Sequence, residues 1–344
     1  MRVVKSKVRL GVAMGLCATL LTASCGSGDG NPPPVAPVKQ DLTVRLDRLD
    51  QELFHRGSEP GNALALQAKY GDFFRTYVED VLALAPVDDP RLAIGLTRFA
   101  MDPDWRSVQE RADSLFGDMA REQEQFNIAF GRLQAHFPDS LVPRVIIYNS
   151  GFNYGVLPTD STLGVGVEWF IGKDHPVVGL LTPEVFPQYM KERMRPEMLV
   201  PSAVKGWLLV HYIADLTGTD LLTHLVETGK VMVLLHDLQP SAQPAVPFAF
   251  TDAQLKWCEE NEFNCWREII SRELLYSKKA EDIGRFMSDG PFTPGFPKES
   301  PGHIGEWIGY RMVRSYLADH PNTTFAQLFA MHDAREVLKS YKPR

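Results

Sequence analysis

PRVIIYNSGFNYGVLPTDSTLGVGVEWF, residues Pro143–Phe170, is the stretch that separates an all-helical chain from a mixed one. Val145-Ile146-Ile147-Tyr148 is a short apolar, β-branched run following Pro143. Leu163–Phe170 alternates apolar with small or polar residues, which is the two-residue period of a strand. The 14 residues between them are rich in Gly, Asn, Asp, Ser, Thr and Pro. Two strands joined by a long loop are expected here.

Outward from this segment, helical spacing dominates. Leu42, Leu46, Leu49 and Leu53 form one stripe, and Tyr70, Phe73, Phe74, Tyr77, Val78, Val81 and Leu82 form another. Phe126, Phe130, Leu133 and Phe137 predict a helix that stops near Pro138. Beyond the strands, a helix is expected from Pro201 or Ser202 towards Thr217-Gly218. The next is capped by Thr219 or Asp220 and runs to about Leu235. Thr251-Asp252-Ala253-Gln254 has capping-box form and precedes an apolar-periodic stretch to Tyr276. Glu281–Ser300, rich in Gly and Pro, reads as loop. A helix from about Pro301 to Leu317 carries Gly302, Gly305 and Gly309 on one face, where another element can approach closely. Phe325–Ser340 reads as a last amphipathic helix. The expected fold class is mainly α with a small β segment (α+β), with 42–344 as a single, mostly helical domain. The aromatic stripes read as core.

The N-terminal part has a different character. Met1–Arg9 carries Arg2, Lys5, Lys7 and Arg9 and no acid, and Leu10–Leu21 is a 12-residue, mostly apolar run. Small residues Ala23 and Ser24 then precede Cys25. A basic end, a short apolar middle and a small-residue cleavage site make a secretory signal, 1–24. The run is too short for a bilayer, which takes about 20 residues. A cysteine directly after the small residues resembles a bacterial lipoprotein signal, although Thr22 stands where that signal prefers Leu. Cys17 fits less well, since Leu16 precedes it. Cys25 is therefore the expected lipidation site, with a diacylglycerol thioether and an N-acyl chain such as palmitate. Acyl chains contribute roughly 0.8 kcal/mol per buried CH₂, so three of them anchor firmly. Gly26–Asp41 holds three glycines and four prolines and reads, with Cys25, as a tether, 25–41. Only Asp29 is acidic just after Cys25, where a run of acids would favour surface export, so the expected location is a periplasm-facing outer-membrane lipoprotein.

The 344 residues carry 36 basic and 43 acidic side chains, a formal net charge of −7. Removing Met1–Ser24 takes away four positive charges and no acid, which leaves 320 residues at −11. Nucleic acid is not an expected partner, because its binding needs a basic stripe. Membrane attachment must rest on the lipid, since anionic head groups repel such a surface.

Several phrases together resemble a known family: RLDRLDQELF (Arg45–Phe54), YGDFFRTYV (Tyr70–Val78), NSGFN (Asn149–Asn153), LGVGVEWFIG (Leu163–Gly172), WCEENEFNCW (Trp257–Trp266), PFTPGF (Pro291–Phe296), SPGHIGEWIGYRMVRSYL (Ser300–Leu317) and DAREVLKSYKP (Asp333–Pro343). Their order and spacing are similar to those of the GldB-type gliding-motility lipoproteins, over almost the whole mature chain. The resemblance implies a membrane-anchored component of the gliding apparatus that contacts other machinery or envelope proteins. It supplies no biochemical activity.

That family also looks distantly zincin-like. Zincin peptidases carry H-E-x-x-H, two metal-binding histidines one helical turn apart with a glutamate that activates water. The matching stretch is His211-Tyr212-Ile213-Ala214-Asp215, and Glu227 stands in the segment of the third ligand. His211 and Asp215, at i and i+4, share a face of the expected helix. Tyr212 stands in place of the base, and a phenol of pKa about 10 is a poor acceptor near neutral pH. The favoured reading makes His211 a hydrogen-bonded core histidine paired with Asp215. The alternatives are a non-catalytic metal site of His211, Asp215 and Glu227 and an active metallopeptidase. No cofactor and no catalytic residue are expected. His224 with Glu227 reads as a helix-surface pair, and His303, His332 and Asp333 as too isolated for a site. Cys258 and Cys265, on a continuous helix, lie about 10 Å apart by helix rise and cannot bridge. A break at Asn261–Asn264 would let them; two buried thiols is the preferred reading.

Overall fold

The computed structural model describes residues 42–56 and 62–344. Strand β1 (Leu46–Arg48) leads directly into α1 (Leu49–Arg56). There follow α2 (Asn62–Tyr70), α3 (Asp72–Thr76) and a π-helical turn at Tyr77–Val81. Next are α4 (Leu92–Met101), α5 (Pro103–Phe116) and α6 (Ala120–His136). The β segment comprises β2 (Arg144–Tyr148), β3 (Val156–Pro158) and β4 (Thr162–Gly166), closed by a 3₁₀ turn at Val167–Phe170. The second half is helical: α7 (Pro176–Leu180), α8 (Gln188–Lys191), α9 (Leu199–His211) and α10 (Leu221–Leu238). It continues with α11 (Asp252–Glu260), α12 (Glu262–Ser271), α13 (Ala280–Met287), α14 (Ile304–Asp319), α15 (Phe325–Ala330) and α16 (Ala334–Ser340). The class is mainly α with a small sheet, as expected. Among the described residues no helix is long and apolar enough to cross a membrane.

The sheet runs β1-β2-β4-β3, with β1, β2 and β4 parallel and β3 antiparallel to β4. Side chains alternate across β2. Ile146 and Tyr148 face a smaller apolar cluster built from α1 to α4, while Val145 and Ile147 face a larger one built from the other helices. The sheet is thus a buried partition between two helical layers, which explains why Val145–Tyr148 is uninterrupted apolar sequence. On β4, Leu163 and Val165 face the larger cluster. The alternate position Gly164 leaves room for the rings of Phe73 and Tyr148, each 2.8 Å from where a Cβ would stand.

Several boundaries differ from the sequence reading. The stripe from Leu42 to Leu53 is helical only from Leu49. Its first half is extended, because pairing Leu46–Arg48 with Val145–Ile147 satisfies backbone groups beside a buried strand. Residues four apart share a face in a strand as well as in a helix, so the spacing did not distinguish the two. Gly71, at φ +54°, breaks the helix expected over Tyr70–Leu82. The predicted loop between the two strands contains the edge strand β3. The strand expected to reach Phe170 ends at Gly166. The helix from Pro201 stops at His211 rather than Thr217. The stretch from Thr251 is broken at Asn261, and the closing helix is broken between Ala330 and Ala334. Glu281–Ser300, expected as loop, contains most of α13. Gly302 precedes α14 instead of lying on it.

Other signals held. Asp220 caps α10 by accepting from Thr223 N at 3.0 Å. Thr251 and Gln254 form a capping box. Gly309 packs against α10 so closely that a Cβ there would lie 1.8 Å from the carbonyl oxygen of Leu225.

Candidate functional site

The three residues of the possible metal site do not assemble. Because α9 ends at His211, the i, i+4 relation to Asp215 no longer places the two on one helix face. His211 is exposed, stacked on Trp207 with centroids 3.8 Å apart, and its Nε2 lies 3.1 Å from the carbonyl oxygen of Thr159. The reading of His211 as a core histidine paired with Asp215 is therefore corrected: it is a surface residue that fastens the end of α9 beside β3. Asp215 is also exposed and accepts from Thr217 N at 2.9 Å and Oγ1 at 2.6 Å, which holds its carboxyl below the ordinary carboxylate range. Glu227 is engaged by Lys230, whose Nζ donates to it at 2.7 Å and to the carbonyl of Met331 at 2.6 Å. Lys230 is only 1% exposed. An ammonium group held against Glu227 offsets the charge that would attract a cation. Among the described residues no group of three or more His, Cys, Asp or Glu is placed to hold a metal ion. Tyr212 packs between the rings of Phe137 and Phe329. Cys25 and the tether lie outside the described residues.

Two polar constructions that the sequence reading missed stand out. One is a chain of charges at the start of α14. His303 is buried, adopts the left-handed region at φ +39°, and is 3.1 Å from Asp289 through Nδ1 and 2.9 Å from the carbonyl of Phe248 through Nε2. Arg193 donates to Asp289 at 2.6 Å, and Lys205 to Glu306 at 2.6 Å. Burial opposes charge on Asp289, but the His303 hydrogen bond and the Arg193 guanidinium hold its carboxyl well below the usual range. The cluster ties the α8–α9 connection, the α13–α14 connection and α14 together. A Pro-Gly-His preceding an apolar helix was the sequence signal; what it bonds to was not legible.

The other construction joins two of the phrases that suggested the family. The carboxyl end of β2 continues into Asn149–Asn153, with Gly151 and Phe152 both at φ +65°. Glu168, fully buried in the turn after β4, accepts from Ser150 N at 2.8 Å, from Phe152 N at 3.2 Å and from the Ser150 hydroxyl. Tyr77 Oη donates to the carbonyl of Asn149 at 2.7 Å, and Asn153 Nδ2 to that of Val81 at 2.9 Å. Burial pushes the Glu168 carboxyl up to about 7, although the donors from Ser150 and Phe152 oppose the shift. Its second oxygen has no hydrogen-bond partner among the described residues. A charged residue inside VGVEWF was the available clue.

Cys258 and Cys265 are both free and buried, although α11 and α12 break between them.

Compared with known proteins, the chain is matched over residues 31–343 by a family model described as "Gliding motility protein GldB". No curated protein and no solved structure matches it.

Proposed function

The chain belongs to the GldB family of gliding-motility lipoproteins, and from that premise we propose that it is a lipid-anchored, non-catalytic scaffold of the gliding apparatus in the cell envelope. The family match over nearly the whole mature sequence carries this reading. The signal at 1–24 and the cysteine after it support acylation of Cys25, with 25–41 as the tether and the outer membrane, facing the periplasm, as the site of attachment. Residues 42–344 act as one body, because strand β2 contributes side chains to both apolar clusters. The non-catalytic part rests on chemistry at the zincin-like stretch: Tyr212 stands where a base would be needed, and Lys230 occupies the carboxylate of Glu227.

Anchoring is tested by Cys25→Ala. The variant is expected to leave the membrane fraction and to fail to restore gliding to a strain lacking the protein. Full gliding with the unlipidated protein would refute the anchoring. Metal analysis of the purified chain tests the non-catalytic part. Stoichiometric zinc, lost on His211→Ala or Glu227→Ala, would overturn the scaffold reading in favour of a metal-binding protein. Crosslinking in intact cells identifies the partners.

A further inference from the structure

Between α10, α11 and α14 the surface opens into a cleft of about 460 Å³. Val233, Phe248 and Trp307 give it apolar and aromatic surface. Arg132 of α6 and Arg311 and Arg314 of α14 bring three guanidinium groups to the same cleft, in a chain whose acids outnumber its bases. Each is braced by a neighbour. Arg132 Nη1 donates to the carbonyl of Asp237 at 3.0 Å. Arg311 lies 3.1 Å from Glu262, a carboxylate 3% exposed. Arg314 Nη1 donates to Tyr310 Oη at 2.6 Å and lies over that ring. Bracing lowers the entropy lost when a guanidinium is fixed by a ligand.

Two carboxylates also line the cleft. Asp237 is engaged by His136 at 2.6 Å and by Arg132 at 3.5 Å, while Glu259 is exposed. Arg132 and Arg311 thus each face a carboxylate, while Arg314 is held by a phenol. His236 lies between the rings of Phe248 and Tyr310, with centroids 4.8 and 4.7 Å away. Burial pushes its imidazole below the ordinary value, and the positive charges of Arg314 and Lys205 add to that shift.

Forked guanidinium donors match a carboxylate, and an aromatic wall accepts an apolar side chain. The volume is in the range of sites that enclose a small ligand or a few residues of extended chain. We propose that this cleft binds an acidic peptide segment, with a side-chain carboxylate against Arg132, Arg311 and Arg314 and a neighbouring apolar side chain against Trp307 and Phe248. The proposal deepens the scaffold reading and rests on it only in assigning the segment to a partner protein.

The test is fluorescence anisotropy of a labelled hexapeptide alternating aspartate with leucine, titrated with the full chain in detergent. Saturable binding is expected, at least tenfold weaker for the peptide with asparagine at every aspartate. Arg314→Gln, with an unchanged melting temperature, is expected to weaken binding at least tenfold, while Arg267→Gln on α12 leaves it unchanged. Equal binding of the two peptides, no binding up to millimolar protein, or indifference to Arg314→Gln would overturn the proposal. Displacement by inorganic phosphate as potent as by unlabelled peptide would replace the peptide with a simple anion. The peptide comparison needs no variant, so it stands even if Arg314→Gln misfolds. A negative result leaves the lipid anchor untouched, since Cys25→Ala tests that separately.

Discussion

Glu168 is the residue whose chemistry is most altered by the fold. In the folded chain its carboxyl titrates at about 7, against an ordinary value of 4.5. Between these two values the native state holds more protons than the unfolded chain, so the stability contributed by this group is fully present below about pH 4.5 and is lost as pH rises through 7. At 1.36 kcal/mol per unit the loss attributable to this one group is roughly 3 kcal/mol. Glu168→Gln keeps an acceptor for Ser150 and removes the titration. Thermal unfolding measured from pH 5 to 8 is expected to show a smaller decline in the variant than in the parent; identical slopes would mean that Glu168 ionises normally. The two cysteines make a second case. Burial pushes the Cys265 thiol up to about 12, and Cys258 rises with it. A thiol-reactive dye should therefore label neither until denaturant unfolds the chain, and labelling within minutes under native conditions would contradict their burial. Of these residues, the sequence favoured two buried thiols over a bridge, but the donors around Glu168 come from a loop about 16 to 18 positions away and only folding brings them there.

Among the elements, α10 and α14 make the closest helix pair. Gly309 and Gly229 meet across it: a Cβ on Gly309 would stand 1.8 Å from the Leu225 carbonyl, and one on Gly229 would stand 2.3 Å from Gly309 backbone atoms. Alanine normally raises helix stability by about 1 kcal/mol over glycine. At Gly309 the overlap with backbone cannot be relieved by a rotamer change, so Gly309→Ala is expected to lower stability by about 1–3 kcal/mol or more despite that gain. Gly179, in α7, has open space around its Cβ direction, and Gly179→Ala serves as the control without a clash, expected to melt no earlier than the parent in denaturant. If both variants melt alike, the seam is not as tight as the backbone indicates. The glycine spacing on α14 was legible in sequence because close approach needs absent side chains. The end of α9 was not: no glycine or proline marks His211, and the helix stops where His211 meets the carbonyl of Thr159. The early strand β1 was misread because its partner, β2, lies about 100 residues away.

For the whole molecule, net charge opposes contact with an anionic membrane. Residues 25–344 carry a formal −11, so this chain without acyl groups should stay in the supernatant when mixed with anionic vesicles at low as well as high salt. Pelleting at low salt that is lost at high salt would point instead to a basic face that holds the membrane by itself. Sequence alone determined the excess of acid, the mainly helical class, the apolar strands beside a polar loop, and membership of an ordered set of phrases. These are local or summed properties, written within a few residues or counted over all of them. The tertiary structure decided that His211, Asp215 and Glu227 stay apart, that NSGFN and Glu168 meet, that His303 joins Asp289, and that three arginines from two helices share one cleft. Those outcomes depend on where separate elements pack, and contacts between residues distant in sequence follow from buried area and backbone geometry that no local pattern contains.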